Sequence, residues 1–141
     1  MNRSIDKVLM MAATFFCPQC FTKVAESTEI CPHCHTDIKQ YLNHVPYLTR
    51  LIHALAHPES EARMSATIAL AGLAAPEAVK PLLDLIAQWP SDVVQGTQAI
   101  DALMQINTME ARQGIDNISK THPSVVIRRV AERALSRLLE G

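Results

Sequence analysis

Residues 75–106 read APEAVKPLLDLIAQWPSDVVQGTQAIDALMQI, and two helical faces are written in them. Before Pro90, Leu82, Leu85 and Trp89 recur at intervals of three and four; after it, Ala99, Ala102, Leu103 and Ile106 fall at 0, 3, 4 and 7. Such spacing lines one side of an α-helix. The stretch therefore predicts two antiparallel helices with a proline-marked break between them, and Trp89 is expected in their core.

Outward from this stretch the pattern recurs. AHPESEAR (56–63) and THPSVVIRR (121–129) carry the flanking breaks, so Pro58, Pro90 and Pro123 stand 32 and 33 residues apart. After the first break come Ala66, Ala69, Leu70 and Leu73; after the third come Ala131, Ala134, Leu135 and Leu138. Leu48, Leu51 and Leu55 precede the first break, and Ile115 and Ile118 the third. Pro46, Pro58, Pro90 and Pro123 are expected in first helical turns, where a missing N–H is harmless. APEAV (75–79) and TMEAR (108–112) occupy equivalent turns, and Pro81 is expected to bend the start of its helix. A fixed period of two helices joined by short turns is the mark of an α-solenoid. The expected fold is mainly α, about three helical hairpins over residues 39–141.

The pattern resembles HEAT repeats, particularly the short kind in which a PEAV turn, a Leu-Leu pair and an Arg-containing alanine helix succeed one another. The resemblance covers roughly residues 46–140 and implies a surface for protein contacts. Such repeats often place an Arg three residues before the first alanine. Arg63 and Arg128 match, but Gly96 stands in the middle repeat, so no continuous polar ladder between repeats is expected.

Ahead of the repeats lie CPQCFTKV, from Cys17, and CPHCHTDI, from Cys31, nearly one text displaced by 14 residues. Two Cys-x-x-Cys turns bring four thiolates to the corners of one tetrahedron, the arrangement zinc takes. Cys17, Cys20, Cys31 and Cys34 are therefore the expected metal ligands. Pro18 and Pro32 stiffen both turns alike. Residues 22–24 and 28–30 suit the arms of a short hairpin. So short a module buries too little surface to fold unaided, and metal binding supplies the missing free energy. Iron uses the same four ligands, and spacing alone does not separate the two metals. His33 and His35 are expected in solvent, because the cysteines fill the tetrahedron. The segment resembles zinc ribbons over residues 15–38, which implies one structural zinc between two knuckles. Phe21 and His35 replace the glycine such knuckles commonly carry, and a distorted first knuckle is expected at Phe21.

No cysteine follows Cys34, which suits a reducing cytoplasm with one metal site better than a disulfide framework. Residues 1–14 form a leader, flexible or helical; Arg3 and Lys7 before Val8–Phe16 only loosely imitate a secretion signal, and Asp6 interrupts it. No run of about 18 apolar residues exists, so no membrane span is expected. Thirteen basic against fourteen acidic side chains imply no general attraction to nucleic acid or anionic lipid.

These features point to a non-catalytic scaffold for an unidentified protein partner. A nucleic-acid-associated module is the alternative, since zinc ribbons often contact nucleic acid. Lys23, however, is the only basic side chain besides histidine between Phe15 and Ile38. Some HEAT-like proteins attach bilin chromophores, but no Gly-rich phosphate loop or nucleophile–base arrangement stands out here, and no enzyme is expected. Arg129, Arg133 and Arg137 share one helix face by their spacing of four. They suit an acidic peptide or phosphates, although a solvated face is the plainer reading. His53 and His57 have the same spacing and could grip a metal, yet a histidine closing a helix before Pro58 is the commoner pattern. The last helix lacks a polar cap beyond it, so a homo-oligomer through this end is a further expectation.

Overall fold

Phe15–Phe16 (β1) and Lys23–Val24 (β2) pair antiparallel, Phe15 opposite Val24 and Phe16 opposite Lys23. Ile30 and Asp37 bridge in the same sense. Displacing the Phe16–Lys23 pair by the 14-residue repeat gives Ile30–Asp37, so both copies fold alike. This corrects the expected hairpin between residues 22–24 and 28–30. Each Cys-x-x-Cys turn is itself the turn of its own small hairpin, and the arms are the residues flanking that turn. Helix α1 (Ile38–His44) follows, its N-terminus capped by the Asp37 side chain accepting from Gln40 N–H.

The computed structural model describes residues 15–140, and the leader expected over 1–14 lies outside them. The chain divides into two compact units, Met1–Tyr47 and Leu48–Gly141. The second contains α3 (Ser60–Leu73), a 3-10 turn (Pro76–Ala78), α4 (Val79–Gln88), α5 (Val93–Ile106), α6 (Met109–Thr121) and α7 (Val125–Glu140). Helix α2 (Tyr47–Ala54) leads into it. Three successive hairpins result, α2/α3, α4/α5 and α6/α7. Their second helices pack side by side, α3 on α5 and α5 on α7, while α4 meets α6 in the other layer. Among the described residues no helix is long and apolar enough to cross a membrane.

Helix α5 lies at the centre and buries Ala99, Ile100, Ala102, Leu103 and Ile106. The face read from spacing is the face that packs. Leu82 and Leu85 of α4 and Ile115 and Ile118 of α6 join the same core, with Ala131 and Ala134 of α7. Gly96 has a steric reason: a Cβ there would stand 2.7 Å from Ile127 Cδ1, so α7 approaches where no side chain intervenes. Helix α3 departs from expectation, because its buried row is Arg63, Ala66, Thr67 and Leu70. Leu73, expected in that row, is exposed. It is the last residue of the helix.

The prolines sit differently from expectation. Pro58, Pro90 and Pro123 precede the N-cap residues Glu59, Asp92 and Ser124, and Pro46 directly precedes α2, so none lies within a helix. Caps supplied by Asp92 and Ser124 need the residue after or near the proline, pushing it out of the first turn. Pro81 does fall in the first turn of α4, entered through the 3-10 turn.

At two of the three breaks a His-Pro corner repeats in detail. His57 Nδ1 accepts the Glu59 N–H and His122 Nδ1 accepts the Ser124 N–H, both at 3.0 Å. Six residues on, Arg63 donates to the carbonyls of His57 and Pro58, at 2.8 and 3.0 Å. Arg128 donates likewise to those of His122 and Pro123. Arg63 Nε also donates to Gln95 Oε1 at 2.6 Å, and its guanidinium lies 3.9 Å from the centre of the Trp89 ring. A single polar rung joins the first and second repeats, supplied by Gln95 beside Gly96. Trp89 stands where the other breaks have histidine. It is 37% exposed, covering Arg63 instead of filling the core as its spacing suggested.

Candidate metal centre

Each cysteine turn is built by the same bonds. Phe21 N–H donates to Cys17 O and Cys17 N–H to Thr22 O; His35 N–H donates to Cys31 O and Cys31 N–H to Thr36 O. Closing so tight a loop requires one left-handed residue after the second cysteine. Phe21 and His35 both take φ 65°. Phe21 thus takes the left-handed backbone on which the expected distortion rested, and His35 takes it equally. A conformation costing about 1–2 kcal/mol for an L-residue is held twice, by the same pair of backbone bonds.

The two turns face each other across the module. Cys17 Sγ lies 3.6 Å from Cys34 Sγ, and Cys20 Sγ 3.7 Å from Cys31 Sγ. All four sulfurs fall within 4.8 Å of one another. A tetrahedral ion with metal–sulfur bonds of about 2.3 Å sets its sulfurs about 3.8 Å apart. The spacing fits such an ion and is far beyond a disulfide bond of about 2.0 Å. Cys17 and Cys31 are fully buried, while Cys20 and Cys34 are half-buried. His33 and His35 are exposed and stand outside the cluster, as expected.

Two threonines tune this site. Thr22 Oγ1 lies 3.2 Å from Cys20 Sγ and Thr36 Oγ1 3.1 Å from Cys34 Sγ, so each hydroxyl can donate to a thiolate. His33 N–H also points at Cys31 Sγ, at 3.4 Å. Hydrogen bonding from Thr36 is the chief cause that lowers the Cys34 thiol to about 6, and Thr22 lowers Cys20 in the same way. Burial pushes Cys17 up to about 11. A cation can displace that proton, because it supplies the positive charge that burial otherwise denies the thiolate. The role of the threonines went unread in the sequence. Their place two residues after the second cysteine of both copies was the visible signal.

The other sequence candidates do not gather into a centre. Arg129, Arg133 and Arg137 are exposed along α7. Arg133 and Arg137 line a shallow hollow with Asp101 and Thr97 of α5. His57 is buried with Nδ1 engaged as described, and burial lowers its pKa below 6.5. Among the described residues, the four cysteines are the group with metal-ligand geometry.

Comparison with known proteins adds the repeats alone: residues 48–136 match the family of HEAT repeats. No curated protein and no solved structure matches the chain. The matched span covers most of the chain and coincides with the three hairpins stacked about α5, and the chain therefore belongs to the HEAT repeat family.

Proposed function

We propose that the chain is a non-catalytic scaffold, a HEAT surface for a protein partner joined to a module held by one structural zinc ion. The observation that carries the metal reading is the four-sulfur cluster with every pair within 4.8 Å. Four thiolates complete the tetrahedron and leave no position for water or substrate, which is the donor set of a structural site. Half-burial of Cys20 and Cys34 beside hydroxyl donors suits thiolates in a reducing cytoplasm. Elemental analysis of the purified chain tests this, with one zinc per chain expected. No metal, or mainly iron, would sink it.

The scaffold reading is supported by the HEAT family match and by the exposed arginine row of α7. Recovery of one specific protein on the immobilised chain, unaffected by nuclease, is the expected result. Salt-dependent DNA or RNA binding, lost on substitution of Lys23 and Arg133, would instead favour the nucleic-acid reading. Val125, Val126 and Leu139 are exposed on α7, which agrees with self-association through this helix. Sedimentation at high concentration giving strict monomers would remove that part.

A further inference from the structure

The junctions between repeats give a template for the outer face of α7. At the first, Arg63 holds its own corner through His57 O and Pro58 O, while its Nε donates to Gln95 of the next helix. Four and seven residues on, Thr67 and Leu70 are fully buried. At the second, Gly96 takes the place of Arg63 and lies against Ile127 of α7. Ile100 and Leu103, again four and seven residues on, are fully buried too. One row of each second helix therefore faces the helix that follows it.

In α7 the same row is Val125, Arg128, Glu132, Leu135 and Leu139, at intervals of three and four. Arg128 holds its corner as Arg63 does, but among the described residues its side chain makes no other hydrogen bond. Glu132 stands where Thr67 and Ile100 are buried, yet it is exposed and its carboxylate has no ion pair among the described residues. Arg128 does not serve it within the helix. Its hold on His122 O and Pro123 O draws the guanidinium toward the preceding corner, away from the following turn. An unmet donor and an unmet carboxylate thus stand one turn apart, flanked by the exposed Val125 and Leu139.

Such a row is complementary to itself. Turned antiparallel against its own copy, it sets Arg128 opposite Glu132 and Val125 opposite Leu135, because both pairs share one midpoint. The Nε that would match the one Gln95 meets at the first junction then finds a carboxylate oxygen, a charge-assisted bond. Symmetry makes the pair twice over, as in an isologous contact. A purely apolar partner would instead bury both charges unpaired. We infer that two copies of this chain associate through antiparallel α7 helices, Arg128 of each donating to Glu132 of the other. The inference rests on the self-association read from α7 above and supplies its pairing.

The test is sedimentation equilibrium of the full chain and its variants, with helical spectra checked for folding. The unaltered chain is expected to dimerise. Glu132→Arg brings like charges together and should raise the dimer Kd about 100-fold or more. Glu132→Gln keeps an acceptor like that of Gln95 and should stay within about tenfold of the unaltered chain. Glu110→Arg, an equal change of charge at an exposed site on α6, should leave the dimer intact. A dimer lost equally in Glu110→Arg would overturn the pairing, as would one that ignores Glu132→Arg. If the latter dimer parts with Val126→Asp, at an exposed position off the row, self-association through α7 stands and only the pairing falls. A dimer indifferent to both substitutions, or a strict monomer, removes the two together.

Discussion

Single hydrogen bonds decide the chemistry of the cysteine site. Thr36 keeps the Cys34 sulfur ready to bind a cation at neutral pH. Thr36→Val removes the hydroxyl at nearly constant shape, and metal affinity is expected to fall about 10- to 100-fold, as when other outer-shell partners are lost. Competition with a chromophoric chelator measures this; unchanged affinity would deny the hydroxyl its role. His57 gives a second test at this scale. Burial lowers its pKa when folded, so below about pH 6.5 the unfolded chain binds more protons than the folded one. Its contribution is complete above that value and drains away as pH falls toward the folded pKa. His57→Asn retains an acceptor for the Glu59 N–H and abolishes the titration. Its melting temperature should therefore decline less between about pH 7 and pH 5 than that of the unaltered chain.

Elements end where a residue accepts an unusual backbone. Helix α3 closes on Ala74 at φ 49°, its N–H donating to Leu70 O and Ala71 O, and α5 closes on Asn107 at φ 54°. Asparagine tolerates this region and here also accepts from Arg112 Nε at 2.8 Å. Alanine gains nothing from it. Ala74→Gly should stabilise the protein by about 0.5–1 kcal/mol, the strain relieved at a left-handed helix end less the entropy glycine adds to the unfolded chain. Chemical denaturation reads the change, and a destabilised variant would show that the Ala74 methyl group packs. The helices were legible because apolar spacing of three and four reports burial directly. Their ends were less so, because caps depend on side chains such as Asp92 and His57 reaching forward to accept from backbone N–H groups.

At the scale of the molecule, two compact units differ in how much they bury. The repeats bury a continuous core from Leu55 to Ala134, whereas among the described residues before α2 only Cys17 and Cys31 are buried. On the proposed metal reading, a strong chelator should collapse the amide dispersion of residues 15–44 and leave the α4–α7 signals in place. Loss of the α5 core resonances on chelation would refute this division of labour.

The doubled Cys-Pro-x-Cys text and the period of 32 to 33 residues determined which four cysteines gather, the hairpin count and the central packing face without coordinates. Repetition and helical periodicity are local properties, and a chain states them outright. Which polar residues go inside was settled only by tertiary structure. Arg63 and Gln95 are 3% and 2% exposed, and they meet although 32 residues apart. Trp89, apolar by composition, is set outside as their cover. Burial of a charged side chain depends on carbonyls, amide oxygen and ring converging from different elements, and only the assembled stack brings them to one place.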